Sequence, residues 1–163
     1  MTIEIRAAIE SDVPIVFRMI QALAEYERMS HRVTATEEGL RAALFGARPV
    51  AEVVLAYAAG EPVGVAVFYP TFSTFAGRAG LYLEDLFVEP ASRRHGVGRK
   101  LLEHVARLAG DRGCHGLSWS VLGWNESAIR FYRSLGAEPV EDWSVFRLSG
   151  EPLARLARLG GSE

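Results

Sequence analysis

The chain has 163 residues, the length of about one domain, and its 49% hydrophobic and 23% charged residues exclude a mainly disordered polymer. No apolar run approaches the roughly 18 residues that span a bilayer, and the start Met-Thr-Ile-Glu-Ile-Arg-Ala lacks the basic-then-apolar pattern of a signal peptide. With a net charge of −2 there is no basic nucleic-acid footprint, so the expectation is a single cytoplasmic domain over 1–163, with a loose tail at 158–163 and neither nucleic acid nor membrane as a partner.

Residues 3–7 alternate as a short strand, and Ser11 or Asp12 then caps a helix that tolerates Pro14 in its first turn. Val13, Val16, Phe17, Ile20, Leu23 and Ala24 form one apolar stripe on that helix. Thr34 and Glu37 read as a capping box for a second helix through Leu40, Ala43 and Leu44, stopping at Gly46. Strands are predicted at 50–58 and 63–69 around a tight Ala59-Gly60 turn, followed by a loop at 70–80 and a strand at 81–88. A helix over 96–109 buries Val97, Leu101, Leu102, Val105 and Leu108, and a strand follows at 117–121. A short helix at 125–135 closes at Gly136, a last strand occupies 143–148, and Pro152 starts a helix carrying Leu153, Leu156 and Leu159. The order β-α-α-β-β-β-α-β-α-β-α implies an α/β (α+β) domain with a mixed sheet and a parallel pair in its later half.

Cys114 is alone, which leaves no intrachain disulfide, and the four histidines have no spacing of three to five residues, so no metal site is expected. Charge, by contrast, is segregated. Residues 1–90 carry seven basic and twelve acidic side chains, whereas 91–130 carry seven basic and three acidic. Such a division suits one anionic and one cationic ligand.

The basic stretch holds Arg93-Arg94-His95-Gly96-Val97-Gly98-Arg99 between a strand and a strong helix. Its two glycines free the backbone to expose N–H groups, and the helix dipole adds positive potential, an arrangement that cradles phosphate. Neither nucleotide fingerprint fits: Leu101 stands where a dinucleotide loop has its third glycine, and Gly-Lys-Ser/Thr is absent. On the preceding strand the apolar positions run Leu81, Leu83, then Leu86, Val88, so the alternation slips by one at Glu84-Asp85. A bulge absorbs such a slip, and bulges leave backbone N–H groups for a ligand. Farther on, Asn125 is a candidate N-cap that shares a helix face with Ala128 and Tyr132.

Taken together, Arg93-x-x-Gly96-x-Gly98 resembles the acetyl-CoA pyrophosphate signature of the GNAT N-acyltransferases, and 125–137 resembles their second cofactor motif. Leu81-Tyr82-Leu83-Glu84-Asp85-Leu86-Phe87-Val88, Trp124-Asn125-Glu126 and Phe131-Tyr132 are similar to the diamine (spermidine/spermine) and thialysine N-acetyltransferase branch, as are Leu23-Ala24-Glu25-Tyr26-Glu27 and the Trp143 segment.

The resemblance implies the GNAT fold, with a sheet of six to seven strands, helices on both faces, and a homodimer. It implies acetyl transfer from acetyl-CoA, without a metal, to a primary amine of a small cationic metabolite: a diamine, a polyamine, or a thialysine-like or lysine-like amino acid. Tyr132 would be the general acid and Glu84 the water-mediated base. Leu86, Phe87 and Val88 would bind the pantetheine through their backbone. The loop Arg93, Arg94, His95, Gly96, Val97, Gly98 and Arg99 would hold the pyrophosphate, with Asn125, Glu126, Ser127 and Ala128 beside the cofactor arm. Tyr26, Glu27, Asp85, Trp119 and Glu141 would line the amine site with Glu84. Arg94 and Arg99 stand where this branch commonly has smaller residues, and Ser30-His31-Arg32 is less acidic than a polyamine channel, so a shorter amine fits as well as spermidine. Acetylation of a protein or peptide, or non-catalytic acyl-CoA binding, are the alternative readings.

Overall fold

The computed structural model describes residues 2–141 and 143–159, which divide into two compact units, 1–120 and 121–163. In the first unit, β1 (Ile3–Ala7) leads into α1 (Val13–Tyr26) and α2 (Glu37–Phe45). Strands β2 (Glu52–Ala58), β3 (Glu61–Ser73) and β4 (Arg78–Val88) follow, then α3 (Val97–Asp111) and β5 (Leu117–Trp119). The second unit holds α4 (Glu126–Ser134) and α5 (Gly150–Leu159).

The five strands lie in the order β1-β2-β3-β4-β5, with antiparallel pairs up to β4 and a parallel β4–β5 pair. Helices cover both faces. On one, Val16 and Met19 of α1 and Leu44 of α2 pack against Val53, Leu55, Val65, Val67 and Phe87. On the other, Val97 and Leu101 of α3 press so closely on Gly64 that a Cβ there would lie 3.2 and 3.1 Å from them.

Five sequence expectations change. The sheet has five strands among the described residues, not six to seven, and 143–148 forms no strand, with Val145 and Phe146 almost fully exposed. That segment has strand-forming residues, but a strand needs a neighbour to pair its backbone, which composition does not supply. The expected loop at 70–80 is largely hairpin, since β3 continues to Ser73 and pairs as far as Arg78. Pro70 is tolerated because β2 ends its pairing at Phe68, leaving β3 with a neighbour on one side only. Helix α2 is capped by Thr36, whose Oγ1 accepts from the Gly39 N–H at 3.0 Å, instead of by Thr34. β5 stops at Trp119, two residues short of the expected end.

Candidate active site

The site grows from an irregularity in β4. Val67 pairs with Asp85 and Phe68 pairs with Leu83, so Glu84 is the residue the ladder skips, as the slipped alternation predicts. The bulge keeps Leu86 and Val88 on the α3 face with Leu81 and Leu83. It also turns Asp85 and Phe87 toward the α1 side, where Phe87 joins the core. Glu84 is exposed and accepts a hydrogen bond from the Tyr69 hydroxyl at 3.2 Å.

Beyond the bulge β4 has an open edge. β5 pairs only with Leu81, Tyr82 and Leu83, leaving the stretch from Glu84 onward without a strand on that side among the described residues. The Glu89 N–H donates to the Val63 carbonyl, so alternation directs Phe87 to β3 and turns Leu86 and Val88 to the open edge. The Val88 carbonyl there accepts from Arg93 Nε at 2.9 Å.

Arg93 thus braces the end of β4. Its guanidinium lies 4.6 Å from the Tyr26 ring centroid and 5.7 Å from that of Phe87. The sequence suggests a phosphate contact for this residue and gives no hint of the brace. Exposed Arg94 and His95 follow, with Arg94 at φ +65°, and exposed Gly96 caps α3 at φ +79°. A Cβ on Gly96 would meet nothing within 4 Å, so the left-handed backbone is what favours glycine there. Buried Val97 and half-buried Gly98 lead into a first turn with neither a capping side chain nor an acidic residue, which leaves its amides available to an anion. Arg99 pairs with Glu103 at 2.9 Å.

Tyr26 ends α1 and Glu27 follows it, a position where a carboxylate gains nothing from the helix dipole. Burial pushes the Glu27 carboxyl above its ordinary range. Asp85 is pushed up to about 6, first by burial and then by the charges of Glu84 and Glu27. Three carboxylates therefore converge at the bulge, Asp85 feeling the charges of both Glu84 and Glu27. Trp119, half-buried at the end of β5, sits opposite Leu83 in the parallel ladder.

The remaining expected residues belong to the second unit. Asn125 caps α4, its Oδ1 accepting from the Ala128 N–H at 3.2 Å. Glu126 and Ser127 are exposed in the first turn, and Glu126 pairs with Arg130 at 3.2 Å. Tyr132 is half-buried, its ring centroid 5.4 Å from that of Phe131. Glu141 is exposed beyond α4.

The Acetyltransferase (GNAT) family profile matches residues 17–137. A thialysine N-epsilon-acetyltransferase of Bos taurus is 42% identical over 166 residues, covering 94% of this chain and 96% of that protein. An L-ornithine N5-acetyltransferase of Arabidopsis thaliana is 29% identical over 200 residues, covering 95% and 88%. A solved integron cassette protein of V. cholerae superposes with a TM-score of 0.80 at 26% identity, covering 97% of this chain and 99% of its own.

Proposed function

From the premise that this chain belongs to the GNAT acetyltransferase family, we propose that it transfers acetyl from acetyl-CoA to the terminal primary amine of a small cationic metabolite, foremost a thialysine-like or ornithine-like amino acid. Diamines and polyamines are further candidates. The observation that carries this reading is the β4 bulge, which sets three carboxylates beside an open strand edge and a cationic glycine turn.

The chemistry follows from those residue types. Near neutral pH a primary amine is an ammonium ion, which carboxylates attract but whose lone pair cannot attack until a proton leaves. Asp85 and Glu27 bind the cation, with Tyr26 beside them and Trp119 and Glu141 as further amine-lining positions, while Glu84 takes the proton through a water molecule. Asp85 is charged above about pH 6, so amine binding weakens below that. The acetyl thioester supplies the activated carbonyl. The outward N–H groups of Leu86 and Val88 stabilise negative charge on its oxygen, and Tyr132 protonates the departing sulfur. The amides and cations from Arg94 to Arg99 hold the pyrophosphate, with Arg93 bracing the loop's start. Asn125 to Ala128 flank the cofactor arm.

Both units belong to one catalytic domain in this reading, which is supported by a family match that runs from 17 to 137 across their boundary. A homodimer and a cytoplasmic location belong to the same proposal. The exposed Leu153, Leu156 and Leu159 support the former, and the single unpaired Cys114 the latter.

Purified protein supplied with acetyl-CoA and thialysine, ornithine, lysine, putrescine, spermidine or a lysine peptide tests the proposal by free-thiol release. Preference for thialysine or ornithine is expected, and transfer restricted to the peptide would overturn the substrate class. Tyr132→Phe should lower kcat about 100-fold with acetyl-CoA binding retained. Parent-like turnover in that variant would remove the acid role.

A further inference from the structure

Tyr69 has no part in the chemistry above, yet its placement is highly constrained. It stands opposite Tyr82 in the β3–β4 ladder, with ring centroids 5.3 Å apart and planes inclined by 32°. The Tyr82 hydroxyl in turn lies 2.6 Å from Ser120 Oγ, just past β5. One tyrosine is therefore tethered at its tip and braces the ring of the other. The braced ring directs its hydroxyl to Glu84 Oε2.

Glu84 needs such support. It occupies the bulge, it is exposed, and a glutamate side chain has much rotamer freedom to lose when fixed. We propose that Tyr69 is a positioning residue that holds the Glu84 carboxylate in the orientation from which it accepts the amine's proton through water. This inference rests on the reading of Glu84 as the base.

The bond occupies Oε2 and leaves Oε1 to face a water molecule. Burial, the Glu84 charge and the hydrogen bond itself raise the Tyr69 phenol above its usual range, so it remains a donor throughout the pH range in which amines are acetylated. The other titratable groups around the carboxylate are Tyr82 and Asp85 on β4 and, facing Asp85 from the end of α1, Glu27. Among the described residues it is the Tyr69 hydroxyl that donates to Glu84, which distinguishes it from these neighbours.

The test is a cycle of Tyr69→Phe, Glu84→Gln and the double variant, measured as kcat and KM with acetyl-CoA and the best amine of the panel. Phenylalanine keeps the stacked ring, and thermal unfolding verifies that the fold survives. Tyr69→Phe should lower kcat about tenfold while KM for acetyl-CoA stays within about twofold. In the Glu84→Gln background the same change should cost less than about twofold, because the hydroxyl acts through the carboxylate. Full turnover in Tyr69→Phe, an equal loss in both backgrounds, or a loss confined to KM for acetyl-CoA would overturn the positioning role. Glu84→Gln with parent turnover is a different failure, since it removes the base itself.

Discussion

The two units are built on different physics. Among the described residues every buried hydrophobic side chain lies in 1–120, in a sheet packed by helices on both faces, whereas none of 121–159 is buried. The carboxylates and the glycine turn thus stand on a scaffold fixed by long-range packing. Tyr132, the proposed acid, stands on a nine-residue helix that carries local supports: the Asn125 cap, the Glu126–Arg130 pair and the Phe131–Tyr132 ring contact. Isolated helices of this length are marginal in water. In the proposed mechanism, therefore, the base is carried by a strand of the packed sheet and the acid by a short helix.

The sharpest way to break this contrast is a core truncation. Phe68→Ala, at a side chain 1% exposed, should destabilise the protein by about 3 to 5 kcal/mol in urea unfolding. A smaller cost would mean that long-range packing does not fix the first unit.

Next in size is Asp85→Asn. The native carboxyl holds its proton up to about pH 6, whereas an unfolded aspartate loses it near 3.8. In that window the native state binds more protons, so parent stability falls as pH rises from about 4 to 6 and stays low above. The asparagine variant should lose this dependence and gain about 2 to 3 kcal/mol at pH 7, with weaker amine binding. Unfolding curves at pH 4 and 7 and KM for the amine check both parts. Equal pH dependence in parent and variant would show that the buried charge is compensated.

A local effect is expected from Asn125→Ala, about 1 kcal/mol, visible as faster amide exchange within α4 and little change in global unfolding. Smallest of all should be Leu156→Ala, at a side chain 58% exposed: less than about 0.5 kcal/mol for the monomer. A loss near 2 kcal/mol that grows with protein concentration would instead place the Leu153-Leu156-Leu159 stripe in a homodimer interface and erase part of the contrast.

The local geometry of the candidate site was largely legible in the chain, for reasons that are local. A period-2 pattern that slips at Glu84-Asp85 keeps its core face buried only with an extra residue in the strand, and the ladder has it there. Asn125 followed by Ala128 at the third position is a cap geometry that needs nothing distant, and Gly96 before an amphipathic run marks a turn into a helix. Less was legible where a partner decides the outcome. The 143–148 segment has the composition of a strand without a paired neighbour, and the hairpin's extension to Ser73 depends on β2 having ended at Phe68.

By itself, then, the sequence determined the helix periods, the bulge, the glycine turn and the family pattern, because each is written in spacings of a few residues. Tertiary structure alone decided that Arg93 braces Val88 and Tyr26, that Tyr69 reaches Glu84 from the neighbouring strand, and that burial beside two other carboxylates lifts Asp85 to about 6. The reason is physical: a hydrogen bond between strands or a desolvated charge depends on which surfaces meet, and residues 15 or 67 positions apart meet only once the sheet has formed.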